Sequence, residues 1–173
     1  MPHRPLAGLQ AAVLSELRHL AGIAATPHRL ERRAPNLSGW SVGEQIEHLA
    51  VVDSQVLAVL GRLLEAPDHE RARRPNLAGR LVLAVGWIPR GVGKAPSASR
   101  PEGRDARALQ ALLGEVEQGF VALGLRLPQL ARCRARARHP RLGWLDGREW
   151  LRFVELHQRH HLRIVRAIER AAG

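Results

Sequence analysis

Near the end of the chain, His157-Gln158-Arg159-His160-His161 lies inside a stretch of helical periodicity, and a lone His48 stands far upstream. Positions four apart share one face of an α-helix, so the imidazoles of His157 and His161 can reach a single ion. The flanking Trp150-Leu151-Arg152-Phe153-Val154 and Leu162-Arg163-Ile164-Val165 turn that face toward a core. His48 precedes Val52 and Val56 by one and two turns and leans toward the apolar stripe of its own segment; His160 falls at the edge of its stripe. A buried imidazole without a partner costs about 1–3 kcal/mol. Three inward histidines therefore need partners, and two chemistries supply them: hydrogen bonds within the core, or one divalent ion shared by all three. Three neutral imidazoles with open positions are the ligand set of a catalytic metal site. Such a site lowers the pKa of a thiol or water at neutral pH. Glu44, one turn before His48, is a candidate for orienting that ring. Arg159 and Arg163 are candidates for guiding an anionic thiol substrate.

The remaining histidines, His3, His19, His28, His69 and His139, lie in loops, near termini or on mixed faces. The loop Ile88-Pro89-Arg90-Gly91-Val92-Gly93-Lys94-Ala95 has the glycines of a phosphate loop but not its spacing, because no Ser or Thr follows Lys94. Cys133 sits between Arg132 and Arg134, which favours a thiolate, but no histidine lies beside it in sequence.

Four long amphipathic segments must position these residues. Leu6, Leu9, Val13, Leu14, Leu17 and Leu20 predict a helix over 6–25, ended by Pro27, with a loop over 26–40. Ser41-Val42-Gly43-Glu44 reads as a capping box opening a helix over 42–64, ended by Pro67. A short helix over 77–87 and a third long helix over 105–125 follow. Asp146-Gly147-Arg148-Glu149 reads as a second box, opening a helix that runs to about Ala171. No segment alternates convincingly with period two, so no strand is predicted. The fold class expected is all-α, a four-helix bundle in a single domain over 1–173.

Composition narrows the function. At 173 residues and 45% hydrophobic, the chain can bury a core. No apolar run approaches the ~18–20 residues of a membrane span, so no membrane partner is expected. No signal peptide is evident, and one cysteine allows no internal disulfide, so a cytoplasmic location is expected. The net charge of +11 invites a nucleic-acid reading. The arginines are dispersed, tyrosine is absent and aromatic interleaving is sparse, so nucleic acid is set aside as a partner.

Trp40-Ser41-Val42-Gly43-Glu44-Gln45-Ile46-Glu47-His48-Leu49 resembles the second-helix motif of the DinB superfamily. His139-Pro140, Gly143, Glu149-Trp150 and His157-Gln158-Arg159-His160-His161 resemble that superfamily's tail pattern, and the resemblance covers nearly the whole chain. It implies an up-down-down-up four-helix bundle with a divalent metal, zinc or nickel foremost, on His48, His157 and His161. It also implies a small-molecule substrate and a metal-dependent enzyme, S-transferase-like with a low-molecular-weight thiol or hydrolase-like. A non-catalytic, metal-stabilised, stress-associated protein is the alternative. A homodimer is compatible with such bundles, although no partner face is legible.

Overall fold

The computed structural model describes residues 4–66, 73–90 and 95–172. Pro67, His3, His69 and the Gly91–Lys94 part of the glycine-containing loop lie outside them.

The chain is mostly helical. Helix α1 runs Leu6–Ala24, α2 Pro27–Leu30, α3 Val42–Glu65, α4 Leu77–Val85, α5 Ala106–Gly124, α6 Leu127–Arg132 and α7 Gly147–Ala172, with a 3-10 turn at Ser97–Ser99. The two boxes form as the sequence predicts. Ser41 Oγ accepts from the Glu44 N–H at 3.2 Å, and Glu44 accepts from the Ser41 N–H at 2.6 Å. Asp146 accepts from the Glu149 N–H and Glu149 from the Asp146 N–H, both at 2.9 Å. Each box satisfies donors that the first helical turn leaves unpaired, which sets where α3 and α7 begin. Arg136, almost fully buried, binds both carboxylates of the second box at 2.8 Å.

Helix α1 packs against α5 and α7, and α3 against the same two. Leu9, Val13, Leu17 and Leu20 of α1 meet Ile46, Leu49 and Leu60 of α3, Leu109, Leu113 and Phe120 of α5, and Leu151, Val154 and Val165 of α7 in one apolar cluster. No helix among the described residues is long and apolar enough to cross a membrane.

Three local features differ from the reading of the sequence. The 26–40 loop contains α2, started by Pro27 at a first-turn position where its missing N–H costs nothing. The connection after α5 contains α6. It also contains two short antiparallel strands, β1 Ala137–His139 and β2 Gly143–Leu145, where no strand was expected. Three residues per strand are too few for alternation to be visible, and Gly143 at φ +84° makes the turn. A Cβ there would stand 2.6 Å from the Asn76 nitrogen, so the glycine also lets the start of α4 approach the hairpin.

Candidate metal centre

Helices α3 and α7 bring His48, His157 and His161 together. One ring nitrogen from each lies within 4.8 Å of the others. Ring centroids are 5.2 Å apart for His48 and His157, 4.8 Å for His48 and His161, and 4.6 Å for His157 and His161. His48 and His161 are buried, at 4% and 8% exposure, whereas His157 is half-buried as a residue, with its Nδ1 buried.

The outer nitrogens show which way the rings are set. His48 Nδ1 lies 2.6 Å from the Ser99 carbonyl oxygen. A carbonyl only accepts, so His48 carries its proton on Nδ1 and presents a bare Nε2. His161 Nδ1 lies 2.6 Å from Gln45 Oε1, and Gln45 Nε2 donates to Ser38 Oγ at 2.8 Å, so the amide is oriented from both ends. His161 is thereby set in the same tautomer. His48 Nε2 and His157 Nε2 stand 3.4 Å apart. Two nitrogens each about 2.1 Å from one tetrahedral ion stand about 3.4 Å apart as well. His157 Nδ1 has no hydrogen-bond partner among the described residues. The unpartnered Nδ1 stays so whether Nε2 meets its neighbour or an ion, so the convergence of the three ring nitrogens at this spacing is what favours the ion. The three histidines fit a shared cation.

Electrostatics agree. Burial lowers the His48 pKa, against the raising effect of the Ser99 carbonyl. His157 and His161 fall well below the usual imidazole value, first through burial and then through neighbouring histidines. All three rings are neutral at pH 7, the state in which imidazole is a ligand.

Aromatic rings frame the cluster. Phe153 stacks on His157 at 5.3 Å and Trp40 lies against His48 at 5.0 Å. His160, at the stripe's edge as expected, places Nδ1 2.9 Å from the Ile88 carbonyl and ties α7 to the segment after α4.

The other candidates lie elsewhere. Glu44 serves the capping box and pairs with Arg33 at 2.9 Å, and the position that orients His48 belongs to Ser99. Arg159 and Arg163 are two residues from a cluster histidine, about 200° round the helix, and both are exposed. Arg159 pairs with buried Glu155 at 3.4 Å on the side facing α1. Arg159 turns to Glu155, and Arg163 acts on His160, whose pKa it helps to lower after burial. Cys133 donates to the Leu63 carbonyl at 3.1 Å, away from the cluster.

Three supporting residues were not legible in sequence. Gln45 and Ser99 are named above. The third is Glu47, which is 1% exposed and accepts from the N–H groups of Glu102, Gly103 and Arg104 at 2.9–3.0 Å and from the Arg104 guanidinium at 2.6 Å. Burial pushes its carboxyl up, but these donors outweigh that and hold its pKa below the usual value. Gln55 adds a bond to the Ala98 carbonyl at 2.8 Å. Residues 98–104 are thus strapped along α3, and the strap delivers the Ser99 carbonyl to His48. A glutamate before a helical histidine carries no signal of this, because its donors come from more than fifty residues away.

The profile of the DinB superfamily matches residues 12–165. This chain belongs to the DinB superfamily. The match covers α3 and the histidine-bearing part of α7, and the three histidines of the family resemblance are the three the structure gathers. No curated protein and no solved structure matches the chain.

Proposed function

We propose that this DinB-superfamily protein binds one divalent metal through His48, His157 and His161 and uses it to activate a thiol or water toward a small-molecule substrate. The observation that carries the reading is the convergence of three neutral imidazoles whose outer nitrogens are held, at His48 and His161, by a carbonyl and an amide. When bound, a divalent ion on three neutral ligands supplies Lewis acidity that lowers the pKa of a coordinated thiol or water. The protein's part is to keep the rings unprotonated by burial, to fix the His48 and His161 tautomers through Ser99 and Gln45, and to hold His157 against Phe153. Closed structural zinc sites have four protein ligands, so a set of three histidines favours catalysis over the purely stabilising alternative. We infer a single domain with four-helix-bundle topology, up-down-down-up, supported by the pairwise packing of α1, α3, α5 and α7. Zinc or nickel suits imidazole. A low-molecular-weight thiol is the co-substrate class the family resemblance implies.

Elemental mass spectrometry of the purified protein tests the site. About one metal per chain, lost when His48, His157 or His161 is replaced by alanine, is the expected result. Absence of metal after reconstitution with zinc and nickel would refute it. Thiol-transfer and hydrolytic assays on the loaded protein then separate the catalytic reading from the stabilising one.

A further inference from the structure

Helix α4 is apolar on both sides. Its inner side is built into the fold: Gly79 sits against the Leu142 backbone, the Asn76 side chain caps Gly79 N–H at 2.8 Å and donates to the Arg141 carbonyl at 2.8 Å, and Gly86 ends the helix in the left-handed region against Arg152. Its outer side carries Leu77, Leu81 and Val85 at four-residue spacing, 81%, 62% and 62% exposed, and Trp87 follows at 51%. Ala78 and Ala84 fill the gaps between them. A helix apolar all round belongs in a core or against lipid, yet α4 holds only its inner half in the core.

The charge around it selects the occupant. Between Glu70 and Glu102 the sequence has no acidic residue and seven basic ones, Arg71, Arg73, Arg74, Arg80, Arg90, Lys94 and Arg100. Among these, Arg80 is exposed on the flank of the stripe, and Arg73 and Arg90 are exposed before and after the helix. The cleft on the α4–α7 side, about 640 Å³, is also lined by Arg74, Arg80, Arg148 and Arg152, and its two carboxylates, Asp146 and Glu149, are paired with Arg136. A second copy would bring arginine against arginine, and a stable dimer takes about 20–30 residues from each side, far more than this helix offers. Nucleic acid has no use for an aliphatic stripe. Aliphatic side chains, a tryptophan at the helix end and flanking arginines are what an anionic lipid surface receives.

We propose that α4 docks this protein on anionic membrane surfaces, with Leu77, Leu81, Val85 and Trp87 entering the headgroup–acyl boundary and the neighbouring arginines facing lipid phosphates. The protein does not span the bilayer; it lies on it. The docking face adjoins Ile88, whose carbonyl lies 2.9 Å from His160 Nδ1.

Co-sedimentation with vesicles of neutral phosphatidylcholine, alone or with 30% phosphatidylglycerol, tests this on the full chain, with Leu81→Glu beside wild type. Wild type should bind the anionic vesicles at least tenfold more tightly than the neutral ones. Leu81→Glu should lose tenfold or more in binding while keeping the wild-type urea midpoint, because Leu81 supports no core. Absence of binding to either vesicle would overturn the proposal. So would binding that Leu81→Glu leaves unchanged, which is bulk charge attraction only. A concentration-dependent dimer abolished by Leu81→Glu, without vesicle binding, would overturn it in favour of a second copy.

Discussion

Replacing Gln45 with leucine separates the two things this side chain does. Gln45 accepts from His161 Nδ1 at 2.6 Å and donates to Ser38 Oγ at 2.8 Å. Leucine has nearly the same volume and offers neither group. Without metal, the stranded Nδ1–H of buried His161 should cost about 1–3 kcal/mol. In a chain of this size each kcal/mol moves Tm by about 2–4 °C. With metal, loss of the group that orients a ligating histidine weakens affinity by about 10–100-fold. At a concentration of 100 times its Kd, an ion adds about 2.7 kcal/mol to the wild type. At the same concentration the variant would gain only about 0.4–1.4 kcal/mol by the same linkage. The assay is thermal unfolding of chelator-treated protein with and without zinc, with affinity from titration calorimetry. Wild type should rise by about 5–11 °C, and the variant by roughly half of that or less. Gln45→Glu keeps an acceptor for Nδ1 and should retain wild-type affinity. A Leu variant that is destabilised without zinc yet binds zinc within about twofold of wild type would refute the orienting role. It would leave Gln45 as a core hydrogen bond only.

Glu47→Ala should release the strap that carries Ser99 to His48. About 3 kcal/mol of stability should go, the low end for breaking a buried pair because Arg104 reaches solvent, with a weaker zinc Kd; urea unfolding and calorimetry check the two effects. Asp53 is fully buried against Gln158 at 2.6 Å, and burial raises its pKa to about 8, against the lowering effect of that bond. Its folded pKa lies above the unfolded value, so its stabilising contribution is complete below about pH 4 and is lost as pH rises through about 8. A shift of this size corresponds to several kcal/mol, on the order of 5. Asp53→Asn should therefore flatten the decline in urea midpoint between pH 4 and 8; an equally steep decline in the variant would place the titration elsewhere. The metal-free histidine cluster acts in the opposite sense. Its pKa values lie below the unfolded 6.5, so its contribution is present above that pH and is lost as pH falls below it. Chelator-treated wild type should lose stability on acidification from pH 6.5, and His157→Leu should lose less.

The long elements were legible because each carries its own signals. Ser41 with Glu44, and Asp146 with Glu149, mark helix starts within four residues, and stripes such as Leu9-Val13-Leu17-Leu20 report burial at helical period. His157 and His161 were legible as a pair for the same local reason. His48 joined them only through its place on an apolar stripe and a family pattern, and the structure makes the meeting physical. What stayed hidden depends on distant partners. Glu44 looked like the orienting carboxylate, because one turn of helix is the only distance sequence can measure; Ser99, fifty-one residues away, holds that position. Arg159 and Arg163 looked available beside the histidines, but two residues on a helix is about 200°, and the buried carboxylate of Glu155 draws Arg159 to the opposite side. The hairpin at 137–145 was too short to show a period, and its Gly143 is explained by Asn76, which approaches from α4.

The cluster's position in the fold bears on its chemistry. His48 and His161 are locked from behind by α3 itself and by a strap fastened to it, so both are rigid before any ion arrives. His157 is held differently: it has no hydrogen-bond partner on Nδ1 among the described residues, and it is stacked on Phe153 in a half-buried position. Two of the three ligands are thus fixed by hydrogen bonds and the third by ring packing. Rigid ligands cost little ordering on metal binding, and the less constrained one can adjust as an exogenous group enters. That asymmetry suits exchange of a thiol or water better than permanent structural closure, for which a fourth protein ligand is usual and none joins the three histidines among the described residues.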